Sequence, residues 1–167
     1  MRIGILGGTF NPIHIGHLVL AEQAVEQLRL SKIIFIPDYL PPHKEIKNKI
    51  TARQRYHMVE LVTRSNSLFE ASRLEIIRKG KSYTVDTLRQ IRKKLKPTQK
   101  FFFIAGSDCL NELSFWKQKE EIFKLAGFII AVRPGYPVEK VPEGAKLIKT
   151  ASIDISSSGI RKKLKSN

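Results

Sequence analysis

The sequence predicts an α/β fold, an open and mostly parallel sheet with helices on both faces. Three observations lead there. Compact, isoleucine-rich runs recur along the chain, as strands buried in a parallel sheet require. Segments with helical periodicity separate them, and such β-α-β alternation builds parallel sheets through right-handed crossovers. The unusual clusters of glycine, histidine, proline and serine fall just after the strands, where open α/β sheets bind ligands.

Taken in order, Arg2–Leu6 (RIGIL) is the first strand. Leu18, Ala21, Val25 and Leu28 then form one apolar helical stripe. Lys32–Ile36 (KIIFI) is the second strand, and Thr51 caps a helix running to about Thr63. Leu68–Ile77 reads as a strand. Val85, Leu88, Ile91 and Leu95 stripe the next helix, which Pro97 ends. Phe101–Ala105 (FFFIA) and Phe128–Val132 (FIIAV) are further strands. Between them Lys119–Ala126 is helical, with Gly127 as its C-terminal stop. Lys146–Lys149 is a last short strand and Gly159–Leu164 a last short helix.

The 167 residues correspond to one domain, 1–167, at the usual roughly 100–200 residues per domain. A hydrophobic share of 42% supplies a sizeable core and argues against disorder. The single cysteine, Cys109, rules out a disulfide within the chain and a cysteine-rich zinc site. No apolar run approaches the roughly 20 residues of a membrane span, and the first residues do not read as a signal peptide. The expected setting is cytoplasmic, without a membrane partner.

The net charge of +15 invites a nucleic-acid reading. Its distribution argues otherwise, because residues 51–100 hold 13 basic and 4 acidic side chains, more than half of the excess. Much of it lies on Arg89, Arg92, Lys93, Lys94, Lys96 and Lys100, around one helix and its exit. Few aromatic side chains interleave there to stack bases. A solvated helix face accounts for the cluster, and no nucleic-acid partner is expected.

Gly7-Gly8-Thr9-Phe10-Asn11-Pro12-Ile13-His14-Ile15-Gly16-His17 joins the first strand to the first helix. The glycines expose consecutive N–H groups to a ligand, and the helix N-terminus adds partial positive charge, a combination suited to phosphate. His14 and His17 are three apart, so on a first helical turn both face one way and can donate to phosphoryl oxygens. No lysine follows the glycines as a P-loop requires, and the dinucleotide fingerprint GxGxxG is not matched. Two histidines alone are too few ligands for zinc. The pattern GGTFNPIHIGH resembles the GxFxPxHxGH signature of the HIGH-motif nucleotidyltransferases, whose fold is Rossmann-like.

Four further segments carry chemistry with alternatives left open. In Pro41-Pro42-His43-Lys44 the prolines either hold Lys44 out as a fixed cation or form an ordinary surface turn. Within Glu75 through Thr87, Ser82 or Thr84 caps the following helix, or the N–H groups at its start bind a carboxylate. Asp108, after Gly106 and Ser107, is placed to accept from ribose hydroxyls; Trp116 is either core or a stacking surface. Ile155-Ser156-Ser157-Ser158-Gly159-Ile160-Arg161 is a second phosphate site on a helix N-terminus or a serine-rich tail.

GGTFNPIHIGH, PPHK, GKSYTVDTL, GSD followed by Trp116, RPGY and ISSSGIR occur in this order over nearly the whole chain. Together they resemble the bacterial nicotinate-nucleotide adenylyltransferase family. The resemblance implies ATP and nicotinate mononucleotide as substrates, nicotinate adenine dinucleotide and pyrophosphate as products, and Mg²⁺ held mainly by phosphates, with no side-chain metal ligands. It implies that Gly8, Thr9 and Phe10, with His14 and His17, hold the ATP phosphates. Ser156 and Ser157, in the segment opened by Ile155, would bind the departing phosphates with Arg161. Gly106 and Asp108 would hold ribose, and Arg133 would lie by the adenine. Lys44 would meet the mononucleotide phosphate, the Tyr83 and Thr84 amides the nicotinate carboxylate, and Trp116 the pyridine ring. Asn11 stands where the family often has Asp, and Ser107 where Ala is common. Homodimerisation is left open.

Overall fold

The computed structural model of the chain describes residues 1–43, 45–46, 50–132, 138–151 and 153–166. In chain order they form β1 (Arg2–Gly8), α1 (Ile15–Leu28), β2 (Lys32–Pro37), α2 (Ala52–Thr63), β3 (Phe69–Ala71), α3 (Leu74–Arg78) and α4 (Thr84–Lys94). There follow β4 (Lys100–Gly106), a 3₁₀ segment (Ser107–Phe115), α5 (Lys119–Leu125), β5 (Gly127–Val132), β6 (Ala145–Lys149) and α6 (Ser157–Lys165). The six strands pair in the order β3-β2-β1-β4-β5-β6, every pair parallel. The mostly parallel sheet expected is wholly parallel among the described residues.

Alternation along each strand splits the core between the two faces. Ile3 and Ile5 of β1 pack with Val85, Leu88 and Ile91 of α4 and Ile122 of α5. Leu6 faces the other way, with Leu20, Ala21 and Ala24 of α1 and Val59 of α2. The last turn of α4 carries Arg92, Lys93 and Lys94, all exposed, where cations suit the helix dipole. Arg89 of the same basic cluster differs: it is half-buried and pairs with Asp86 and Glu121.

Two sequence expectations need correction. Leu68–Ile77 is not one strand: after three residues of β3 the chain turns into the short helix α3. Its alternation is too brief to distinguish an edge strand from a helical turn. Gly127 does not stop a helix; α5 ends at Leu125 and Gly127 opens β5. The reason for glycine is packing, since a Cβ there would lie 2.6 Å from Cδ1 of Phe102.

The chain leaves β1 toward β2 on one side and reaches β4 on the other. This reversal opens a crevice at the carboxyl ends of β1 and β4. The turns after Gly8 and Gly106 border it.

Candidate active site

The turn after β1 is shaped by its own residues. Phe10 holds a left-handed φ of 46°, unusual for a bulky side chain. Its ring is buried between Phe35, 6.0 Å away, and the edge of His17, 5.1 Å away. A Cβ on Gly8 would come within 3.3 Å of that ring, so glycine lets the turn fold over it.

His14 is the N-cap of α1 and is buried, while His17 is half-buried. The His14 N–H donates to Nδ1 of His17 at 3.2 Å, half of a capping box formed by an imidazole. A neutral His17 that accepts there carries its proton on Nε2. The two rings lie 3.8 Å apart, centroid to centroid.

Between them, a Cβ on Gly16 would meet Nδ1 of His14 at 3.1 Å and Cγ2 of Ile155 at 3.2 Å. Gly16→Ala is expected to leave stability within about 1 kcal/mol, because better helix propensity offsets the crowding. The displaced His14 ring should lower turnover about tenfold. Thermal melts beside steady-state kinetics check this pair of outcomes.

The C-terminal segment is stitched onto the same turn. Ser157 Oγ donates to the Pro12 carbonyl at 2.8 Å, and Arg161 Nη1 to the Asn11 carbonyl at 2.5 Å. Arg161 Nη2 also donates to Ser158 Oγ at 3.0 Å. Ser156 caps α6, its Oγ accepting from the Gly159 N–H at 3.0 Å. Ile155, Ser156, Ser157 and Arg161 are thus brought to the histidine turn by tertiary contacts. Ser107, buried, and Asp108, exposed, follow Gly106 at the neighbouring strand end.

A cavity of about 290 Å³ extends from Gly7–Thr9 to the start of α4 and the 3₁₀ segment. It gathers Gly8, Thr9, Tyr83, Thr84 and Trp116 from the expected set. His14, His17, Gly106, Asp108 and the 155–161 group are not among its lining residues. Trp116 is both packed into the core and exposed to the cavity. It packs edge-on to Phe103 at 5.9 Å and Phe128 at 6.2 Å, and it lines the cavity. The Tyr83 N–H donates to the Lys81 carbonyl at 3.1 Å. Lys117 stands 4.6 Å over the Tyr83 ring and 3.2 Å from Oδ2 of Asp86. Lys44 and Arg133 lie outside the described residues.

Among the cavity residues with no assignment from sequence are Cys109, Asp38 and Glu75. Cys109 has its thiol pushed up to about 12, first by burial and then by Asp108 and Glu112; it is a protonated thiol at neutral pH, unsuited to nucleophilic work. Asp38, buried, pairs with the wholly buried Arg55 of α2. Arg55 sits one turn before Val59 on the helix's buried face, so a cation at a stripe position was the available signal.

Glu75, on α3, is the third. Thr87 Oγ1 donates a short hydrogen bond to its carboxylate, and Arg78 Nη2 lies 3.8 Å away. Burial pushes the carboxyl above its ordinary value of 4.5, an effect that the Ser82 and Thr87 hydroxyls and Arg78 oppose. A raised folded value means that the stabilising contribution is complete below pH 4.5 and fades as pH rises through the raised value. The stability of the wild type relative to Glu75→Gln should therefore decline across that window and level off above it. Urea midpoints over a pH series from acid to neutral read this directly.

Among the described residues, no three His, Cys, Asp or Glu side chains gather into a metal cluster, and no helix is long and apolar enough to cross a membrane. The cytidylyltransferase-like family model matches residues 5–163. A probable nicotinate-nucleotide adenylyltransferase of Moorella thermoacetica is 41% identical, covering 99% of this chain and 82% of its own length. One from Thermus thermophilus is 42% identical over 99% of this chain and 87% of its own length. The solved Plasmodium falciparum nicotinic acid mononucleotide adenylyltransferase, in complex with NaAD, matches with a TM-score of 0.76 at 23% identity. That match covers 96% of this chain and 82% of the other, a likeness of fold. The doubly wound sheet, the imidazole-capped turn at its switch point and this near-full-length similarity place the chain in the cytidylyltransferase-like family, within the nicotinate-nucleotide adenylyltransferases.

Proposed function

We propose that the chain, acting in the cytoplasm as one domain over 1–167, transfers the adenylyl group of ATP to nicotinate mononucleotide. The products are nicotinate adenine dinucleotide and pyrophosphate. The observation that carries the reading is a cavity joining the Gly8–Thr9 turn to the start of α4 and Trp116. In this reading the Gly8–Thr9 end takes phosphates and the Trp116 end a flat, anionic ring.

A phosphate oxygen of the mononucleotide attacks the α-phosphorus of ATP, and the bond from that phosphorus to the α,β-bridging oxygen breaks in line. With a second pKa near ~6 the attacking monoester is already largely dianionic at neutral pH, so no general base is required. Catalysis comes from positioning two anions and stabilising the charge on the transferred and leaving groups. His17 donates from Nε2 to a phosphoryl oxygen, with His14 beside it. The Gly8–Phe10 amides receive the ATP phosphates, and Ser156, Ser157 and Arg161 receive the departing pyrophosphate. Gly106 and Asp108 hold ribose, Arg133 borders the adenine, and Lys44 meets the acceptor phosphate. The Thr84 amide faces the carboxylate. Trp116 stacks on the pyridine ring. A magnesium ion would be held mainly by the phosphate oxygens of ATP rather than by side chains, and there it would neutralise phosphate charge.

Pyrophosphate release from ATP, measured with a panel of acceptor phosphates, tests this. Release with nicotinate mononucleotide is expected. Release only with phosphopantetheine would move the chain to another acceptor, and release with none would refute adenylyl transfer.

A further inference from the structure

The guanidinium of Arg55 is fully buried, yet it neither lines the cavity nor faces solvent. Its Nη1 donates to the Thr9 carbonyl at 2.6 Å and to Oδ1 of Asp38 at 2.8 Å. Its Nη2 donates to the carbonyls of Asp38 at 2.8 Å and Tyr39 at 3.2 Å. Thr9 Oγ1 donates to Oδ2 of Asp38 at 2.8 Å, and the Asp38 N–H donates to the Gly8 carbonyl at 3.0 Å. One side chain from α2 thus ties the exit of β1 to the exit of β2. Ser82 extends the tie toward α4: its Oγ accepts from the Tyr39 N–H at 2.8 Å and its N–H donates to the Leu40 carbonyl at 2.8 Å.

Stability does not call for such a device. Moving two charges out of water costs several kcal/mol, and packed apolar residues often do as well. The Arg55–Asp38 pair is also neutral as a unit, so it is no counter-ion for a phosphate. What it does is hold two turns at a set separation. Thr9 belongs to the turn assigned to the donor nucleotide, and Tyr39 leads into the loop assigned to the acceptor. In an in-line displacement the gap between attacking oxygen and phosphorus governs the rate, and an error of about 1 Å can cost on the order of 100-fold.

We infer that Arg55, acting through Asp38, is a positioning residue for the transfer: it sets the spacing between the donor turn at Gly8–Thr9 and the acceptor loop at Asp38–Tyr39. The inference rests on the adenylyl-transfer reading for its kinetic consequence and on geometry alone for its mechanical one.

Arg55→Lys keeps the cation but loses the planar fork, and Asp38→Asn keeps the shape but loses the charge. Both are compared with wild type at a temperature where melts show every protein folded. Turnover is expected to fall about 10- to 100-fold while the KM values for ATP and nicotinate mononucleotide each stay within about threefold. Amide hydrogen exchange in residues 8–12 and 38–40 should rise together in both variants. Turnover within about twofold of wild type, a rise in one KM alone, or exchange rising in only one of the two segments would overturn the brace. A wild-type protein without activity would instead refute the adenylyl-transfer reading, and the exchange data would still judge the brace.

Discussion

Replacing His17 by alanine is expected to lower turnover by about 10²- to 10³-fold while ATP affinity changes by less than about tenfold. The split follows from where its proton sits. Because Nδ1 accepts the His14 N–H at 3.2 Å, the ring is oriented before substrate arrives and Nε2 carries the proton. A fixed donor interacts most strongly with a phosphoryl oxygen when charge builds in the transition state, so its loss appears in kcat more than in binding. Alanine also removes the link back to the N-cap, worth about 1 kcal/mol of stability. His17→Gln separates the two effects, since glutamine at this third helical position can accept the same N–H. It should recover the melting temperature and leave turnover low. His14→Ala should lower turnover by a similar factor. Near-normal turnover in both alanine variants would remove the imidazoles from the mechanism.

The second large effect is discrimination between nicotinate and nicotinamide mononucleotides, expected at about 100-fold in kcat/KM in favour of nicotinate. Only nicotinate carries a charge at the ring substituent. The first turn of α4 leaves amides without intrahelical partners, and its dipole favours an anion there. The Tyr83 N–H is turned to Lys81, which moves the emphasis to the Thr84 amide, while Lys117 above the Tyr83 ring adds positive charge at the same end. Asp86 and the buried Glu75 act against this, which keeps the preference moderate. Steady-state kinetics with the two acceptors at low and high salt decide it. Equal kcat/KM for both would withdraw the acceptor assignment and leave nucleotidyl transfer standing.

Much of this was legible in the chain because it is local. Isoleucine runs, the stripe through Leu18 to Leu28, the Thr51 cap and the stop near Pro97 are consequences of nearest-neighbour periodicity and backbone sterics. The histidine turn was legible for the same reason: glycine, glycine and two imidazoles three apart constrain one another within a single helical turn. The readings that failed were those where local pattern is degenerate. Three residues of edge strand followed by a one-turn helix look like one element at 68–77, and Gly127 as a helix stop was indistinguishable from a glycine that makes room for Phe102.

Other features arise only when distant segments meet. Arg161 reaches the Asn11 carbonyl across 150 residues of sequence, and Thr9 finds Asp38 across 29. Whether a charge is buried, and with whom, depends on the packing of whole helices against the sheet. A solitary glutamate at position 75 therefore has no recognisable signature until the fold removes water from around it, and the arginine at 55 shows only as a cation at a stripe position. Periodicity and turn chemistry act within a few residues and so declare themselves in the amino-acid order; desolvation and long-range hydrogen bonding belong to the assembled molecule.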